Sequence, residues 1–156
     1  MKCATAIQDI RAREKNVLLV DCGDAIQGSA ESWLTGGKTV VRAMEWLKYD
    51  AWTLGNHDFD WGIRKLAALH DETTLTLLGG NIGVRPNTNN RLCKIKPFVI
   101  KEVDGLRIAL VGLTTPAVPL WLRYVQLDTL QFEDSMEALG RIMPEVRAQR
   151  PDIIVL

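Results

Sequence analysis

Short, largely apolar runs alternate with amphipathic stretches along this chain. The runs at 17–20, 51–54 and 75–78 have the length of buried strands, and such runs are typical of parallel strands covered on both faces. Between them, 39–49 and 63–70 place apolar residues at helical spacing. This order predicts a sheet that is built in strand, helix, strand steps.

The pattern changes at the start and in the middle of the chain. Residues 4–15 predict a short amphipathic helix. Residues 81–97 lack periodicity and predict a long irregular loop. The strands predicted at 98–103 and 106–112 flank Asp104-Gly105, a pair suited to a two-residue hairpin because glycine accepts a positive φ.

One more helix and one more strand follow. Asp134 can cap a helix that reaches Val146, and Pro144 either kinks this helix or restarts it. The segment 121–132 is ambiguous. Residues 153–156 are an apolar run typical of a core strand, and because the chain stops inside it, we expect a truncated domain with an open sheet edge.

The fold class predicted from these elements is α/β, with a mixed sheet and a late antiparallel hairpin. The 156 residues, 47% of them hydrophobic, fit one soluble globular domain. The 19 basic and 19 acidic residues cancel, so no nucleic-acid partner is expected. The three cysteines are too few for a disulfide framework, and neither a membrane segment nor a signal peptide is recognisable.

Polar loops follow the first two predicted strands. Asp21-Cys22-Gly23-Asp24 follows the first, and Gly55-Asn56-His57-Asp58-Phe59-Asp60 follows the second. Because the carboxyl ends of adjacent parallel strands meet at one edge of a sheet, we expect these loops to form one site. Oxygen and imidazole groups gathered in this way suit divalent ions such as manganese, zinc or iron.

The residue types in these loops also suggest a reaction. A carboxylate could bridge two such ions, and an asparagine amide could add a neutral oxygen ligand. Paired ions would activate a water and clamp the attacking and leaving oxygens of a phosphate ester. His57 could protonate the leaving oxygen, while Asp60 could orient the imidazole and keep it protonated.

Three other features have simpler explanations. Gly36-Gly37-Lys38-Thr39 mimics the end of a phosphate-binding loop, but Ser32 stands where the first glycine is required, so a turn that starts a helix explains it. His70 could be a further metal ligand, although a histidine at a helix C-terminus that meets the helix dipole is commoner. The five tryptophans are expected to fill the core.

The two polar loops resemble the second and third motifs of calcineurin-like metallophosphoesterases. The first includes Gln27-Gly28-Ser29, and the Phe59-Asp60 extension of the second is similar to the 5′-nucleotidase and 2′,3′-cyclic phosphodiesterase branch, as is Gly112-Leu113-Thr114-Thr115-Pro116. This resemblance implies a four-layer αββα sandwich and substrates that are nucleotides, cyclic nucleotides or other phosphate esters. It also implies two divalent ions (Mn, Zn, Fe or Co), with Asp24 bridging them, Asn56 binding one, and His57 and Asp60 assisting phosphoryl transfer. Enzymes of this kind are often periplasmic or exported.

The chain departs from the family pattern in several places. Asp58 replaces a common glutamate, and the leading Asp-x-His motif, a later histidine and a Gly-His-x-His motif are absent. We therefore predict that residues 1–156 are one partial domain, truncated at both ends and without a nucleotide-recognition domain. Metal binding and hydrolysis should both be weak. The alternative is a noncatalytic module that associates with another chain through its open sheet edge.

Overall fold

Helices and strands alternate through most of the computed structural model of the protein, which describes residues 2–86, 92 and 94–156. The helices are α1 (Lys2–Arg13), α2 (Ala30–Thr35), α3 (Lys38–Trp46), α4 (Ile63–Asp71), α5 (Val118–Trp121) and α6 (Ser135–Ala148). The strands are β1 (Val20–Asp21), β2 (Ala51–Thr53), β3 (Leu77–Leu78), β4 (Ile82–Val84), β5 (Phe98–Val103), β6 (Leu106–Val111), β7 (Leu130–Phe132) and β8 (Ile153–Val155). The predicted α/β class is confirmed.

The strands β1, β2 and β3 form a parallel sheet in that order. The first strand is shorter than the apolar run predicts, since Leu19 exchanges hydrogen bonds with Asp50 before the ladder begins. The Leu19 backbone N–H donates to Asp50 Oδ2 at 2.9 Å, and the Asp50 N–H donates to the Leu19 carbonyl at 2.7 Å. Because all three strands run in one direction, their carboxyl ends share one edge of the sheet.

A second sheet has the order β5, β6, β8. The hairpin between β5 and β6 turns at Asp104 (φ 52°) and Gly105 (φ 81°), which have the two positive φ angles that a tight two-residue turn needs. The edge strand β8 runs parallel to β6, and a bridge between Leu78 and Lys96 joins this part of the molecule to β3.

The helix α6 covers part of this second sheet. Asp134 caps it through Oδ1, which accepts hydrogen bonds from the backbone N–H groups of Met136 and Glu137. Pro144 lies inside the helix, which continues to Ala148, so the proline does not restart it. The apolar face of α6 packs against Ala109 and Val111 of β6.

The structure corrects the predicted loop at 81–97. Residues 82–84 are the strand β4, which pairs antiparallel with β7 inside the segment whose pattern was ambiguous. Residues 87–91 and 93, which the prediction also covers, lie outside the described residues. The predicted turn that starts a helix is confirmed, since Gly36 and Gly37 end α2 and precede α3 in left-handed conformations.

The expectation that the tryptophans fill the core is wrong for three of the five. Trp52 is completely buried, whereas Trp33, Trp46 and Trp121 are largely exposed. The described part of the chain contains no helix long and apolar enough to cross a membrane.

Candidate active site

The first polar loop leaves β1 in an unusual backbone conformation. Gly23 (φ 108°) and Asp24 (φ 60°) both have positive φ, and an aspartate in this region is uncommon. The Gly23 N–H donates to Asp21 Oδ1 at 2.9 Å. Burial raises the pKa of Asp21, an effect that this hydrogen bond partly offsets. Backbone conformations of this kind occur often at functional sites.

The second polar loop passes so close to the first that two glycines are required. A Cβ atom on Gly55 would lie 2.3 Å from Asp24 Oδ1, and one on Gly23 would lie 2.6 Å from the Gly55 nitrogen. Both distances are shorter than any side chain tolerates. The two loops are therefore in direct backbone contact at the carboxyl ends of β1 and β2.

The contact places predicted site residues beside each other. The His57 backbone N–H donates to Asp24 Oδ1 at 2.8 Å, at the start of a short 3-10 turn, His57–Phe59. Asn56 directly precedes this turn. The expected meeting of the two loops is thus observed, while the roles of Asp24 and Asn56 as metal ligands stay predictions.

His57 and Asp60 form a hydrogen-bonded pair within the same turn. His57 Nδ1 lies 2.9 Å from Asp60 Oδ2, and the two side chains are 46% and 13% exposed. The hydrogen bond to Asp60 raises the pKa of His57, with a smaller contribution from the nearby carboxylates. In the described part of the chain, Asp60 Oδ1 is buried without a hydrogen-bond partner. Asp60 is therefore placed to orient the imidazole.

Asp58 is the residue of this site to which the sequence assigned no role. It is 1% exposed, and its carboxylate accepts hydrogen bonds from the backbone N–H groups of Asp24 (3.0 Å), Gly55 (2.8 Å) and Ile26 (3.2 Å) and from Trp52 Nε1 (3.2 Å). Burial raises its pKa to about 6, although these hydrogen bonds oppose the rise. In the sequence, the one hint that Asp58 is buried is its position next to the apolar Phe59.

A third segment, Gly112 to Pro116, is held near this edge of the sheet by a buried asparagine. Asn81 Nδ2 donates to the Thr114 carbonyl at 2.8 Å, and the Thr114 N–H donates to Asn81 Oδ1 at 2.9 Å. In addition, the Gly80 N–H donates to the Gly112 carbonyl at 2.6 Å. These bonds join the end of β6 to the chain that follows β3.

His70 lies in the last turn of α4, as predicted, and is buried. Burial lowers its pKa, with a smaller effect from Lys94. The neutral imidazole is therefore favoured over the cation that a helix dipole would attract. Among the hydrogen bonds of the described residues, none joins His70 to Asp24 or Asn56.

The donors at the loop contact fit a divalent ion in kind but not in number. Carboxylate and amide oxygens are suitable ligands for hard or borderline ions. Within the ranges that the structure describes, however, no group of three or more His, Cys, Asp and Glu residues could hold a metal ion. Asp24 and Asn56 alone do not complete a site for two ions.

Comparisons with known proteins agree with this architecture, although no family model matches the chain. A snake venom 5′-nucleotidase from Naja atra is 36% identical over 140 residues, which cover 88% of this chain and 26% of the relative. The 2′,3′-cyclic-nucleotide 2′-phosphodiesterase/3′-nucleotidase of Haemophilus influenzae is 27% identical over 171 residues, which cover 99% of this chain and 26% of that protein.

The crystal structure of the calcineurin-like phosphoesterase YfkN from Bacillus subtilis superposes with a TM-score of 0.80 and 26% sequence identity, covering 97% of this chain and 50% of that one. The chain belongs to the calcineurin-like metallophosphoesterases, in the branch of 5′-nucleotidases and 2′,3′-cyclic phosphodiesterases. It spans about a quarter of the length of the two curated relatives. The arrangement of the domain as a four-layer αββα sandwich remains a prediction.

Proposed function

We propose that this chain contributes part of the catalytic centre of a hydrolase that acts on phosphate esters, in particular nucleotides or cyclic nucleotides. The observation that carries the proposal is the loop contact, in which Asp24 accepts the His57 N–H while His57 is hydrogen-bonded to Asp60. One turn thus joins a candidate metal ligand to a candidate proton donor. The two relatives, a 5′-nucleotidase and a 2′,3′-cyclic-nucleotide 2′-phosphodiesterase/3′-nucleotidase, support this substrate class.

His57 and Asp60 would handle the proton in this reaction. Asp60 occupies Nδ1 of the imidazole, so Nε2 is the nitrogen left to donate a proton to the leaving oxygen or a hydrogen bond to the phosphate. The raised pKa of His57 favours the protonated imidazole that this role needs. Half-exposure of the side chain leaves it accessible to a substrate.

Asp24 and Asn56 would be the residues of this chain that hold divalent ions, which when bound supply an activated water and neutralise phosphate charge. Manganese, zinc, iron and cobalt all remain candidates. Because the described residues offer too few ligands for two ions, we propose that the 156-residue chain binds metal weakly and hydrolyses slowly.

The experiment measures manganese-dependent hydrolysis of bis(p-nitrophenyl) phosphate and of nucleoside 5′-monophosphates. His57→Ala should lower the rate roughly 100-fold relative to the unchanged chain. His70→Gln is the matched control, since His70 is the other of the two histidines, and this variant should retain the rate. Equal rates for His57→Ala and the unchanged chain would contradict the proposed role.

A binding measurement covers the case in which hydrolysis is too slow to detect. Paramagnetic broadening by Mn²⁺ should affect the backbone amide signals of 22–27 and 55–60 before other signals. If broadening spares both loops, the proposed metal site is wrong. Rapid hydrolysis by the 156-residue chain would instead overturn only the proposal of weak activity.

A second candidate function is noncatalytic association through β8. Its side chains Ile153, Ile154 and Val155 are 44%, 39% and 42% exposed, and β8 is an edge strand. Exposed apolar edge strands can pair with another chain. Sedimentation velocity should show concentration-dependent dimers that Ile154→Arg removes, whereas Leu106→Arg on the neighbouring strand serves as a control for added charge. A monomer at all concentrations would exclude this candidate.

A further inference from the structure

We propose that Asp58 is a positioning residue that sets the spacing and orientation of the two site loops, an inference that rests on the proposed function for its consequence in metal binding. The geometry is a reciprocal clamp. Asp24 of the first loop accepts a backbone N–H from the second at 2.8 Å, and Asp58 of the second loop accepts the Asp24 N–H at 3.0 Å. Each loop therefore gives a carboxylate to the backbone of the other.

The number of donors around Asp58 makes a carboxylate necessary. Oδ2 accepts from Asp24 N, Gly55 N and Trp52 Nε1, while Oδ1 accepts from Ile26 N. A carboxylate only accepts hydrogen bonds, so both oxygens can face these donors. An asparagine would turn an NH2 group toward at least one N–H. Replacement by asparagine should therefore open the clamp although it hardly changes the size of the side chain.

The clamp acts on the backbone conformation of Asp24. A residue with φ near 60° needs contacts on both sides to remain there, and Asp24 has one at its nitrogen and another at its carboxylate. Burial of Asp58 excludes water that would compete for the same donors. Since Asp58 itself is buried away from any substrate, its effect on chemistry is exerted through Asp24.

Asp50 offers a control at the opposite end of β2. It directly precedes β2, and its Oδ2 also accepts a backbone N–H, that of Leu19 at 2.9 Å, where Leu19 directly precedes β1. Asp50→Asn should therefore weaken cross-strand bonding without disturbing the site loops.

The test compares Mn²⁺ affinity, measured by paramagnetic broadening of the loop amides, in the unchanged chain, Asp58→Asn, Asp58→Glu and Asp50→Asn. We expect Asp58→Asn to weaken Mn²⁺ binding about tenfold or more, and Asp50→Asn to leave it unchanged. Asp58→Glu, which retains the carboxylate, should recover most of the affinity. Equal affinities in Asp58→Asn and the unchanged chain would overturn the proposal, as would equal losses in both asparagine variants.

Hydrogen exchange without metal separates this inference from the proposed function. In the unchanged chain, the amides of Asp24, Ile26 and Gly55 should exchange more slowly than that of Gln27, and Asp58→Asn should remove this protection. If Mn²⁺ does not bind at all, the proposed metal site fails but the exchange rates still decide the clamp. Fast exchange of Asp24 and Ile26 in the unchanged chain would overturn the inference even if Asp58→Asn does not fold.

Discussion

The strands β2 and β8 are both short and largely apolar, but their environments are opposite. In β2, Ala51 and Trp52 are 1% and 0% exposed, whereas every residue of β8 is about 40% exposed. β2 has a neighbour on each side, β1 and β3, whereas β8 pairs only with β6 among the strands that the structure describes. An apolar run therefore predicts that a strand forms. Whether the side chains of that strand are buried depends on segments far away in the chain.

The candidate site lies beside the buried strand β2 and not beside β8. The loops that follow β1 and β2 leave a sheet whose strands are fixed by a large cluster of buried side chains, which includes Trp52, Phe59 and Ile26. Phe59 belongs to the turn that carries His57, and Ile26 belongs to the loop of Asp24. Residues of the site are thus anchored directly in the main core. No site residue lies on β8.

The largest expected difference between the two strands is in stability. Trp52→Ala should reduce the free energy of unfolding by about 3 to 5 kcal/mol, because it leaves a cavity and removes a hydrogen bond to Asp58. Ile154→Ala on β8 should cost about 1 kcal/mol or less, since the side chain is already partly in water. Urea denaturation followed by far-UV circular dichroism measures both. Equal losses would show that β8 is covered as well as β2.

A smaller effect is expected in the pH dependence of the free energy of unfolding, and it arises from Asp58, which follows β2 and has no counterpart on β8. The pKa of Asp58, at the end of β2, is raised from 3.8 to about 6, so the folded state binds this proton more tightly than the unfolded state. The stabilisation is fully present below pH 3.8 and is lost as the pH rises to about 6, by roughly 2 to 3 kcal/mol.

Denaturation between pH 4 and 6 tests this expectation in the unchanged chain and in Asp58→Asn. The free energy of unfolding should fall with pH in the first and fall less in the second. The raised pKa of His57 also makes the free energy of unfolding fall as the pH rises. This fall occurs at higher pH, because the stabilisation from His57 is lost only above its ordinary pKa of 6.5. Parallel curves for the two proteins would show that Asp58 does not titrate as proposed.

Local chemistry explains which elements could be predicted from the sequence. Asp104-Gly105 and Asp134 specify a hairpin and a helix cap within a few residues, and both occur as predicted. The pairing of β4 with β7 was missed because it joins Ile82 to Phe132, and neither short strand has a strong pattern of its own. Long-range pairing of this kind is not encoded in local periodicity.

The same division applies within the site. The meeting of the Asp24 and His57 loops follows from parallel strands, so the topology alone predicts it. The role of Asp58 could not be predicted, because its partners are backbone N–H groups whose directions depend on the positive φ at Asp24. Side-chain patterns do not show where backbone donors will point.

The close contact of Gly23 with Gly55 also has a consequence for how the site tolerates mutation. Neither residue has a side chain that could take part in a reaction, yet alanine at either position would collide with the opposite loop. In a saturation screen, both glycines would be as sensitive as the carboxylate of Asp24. A map of catalytic residues drawn from loss of activity alone would therefore include two positions whose only contribution is the absence of a methyl group.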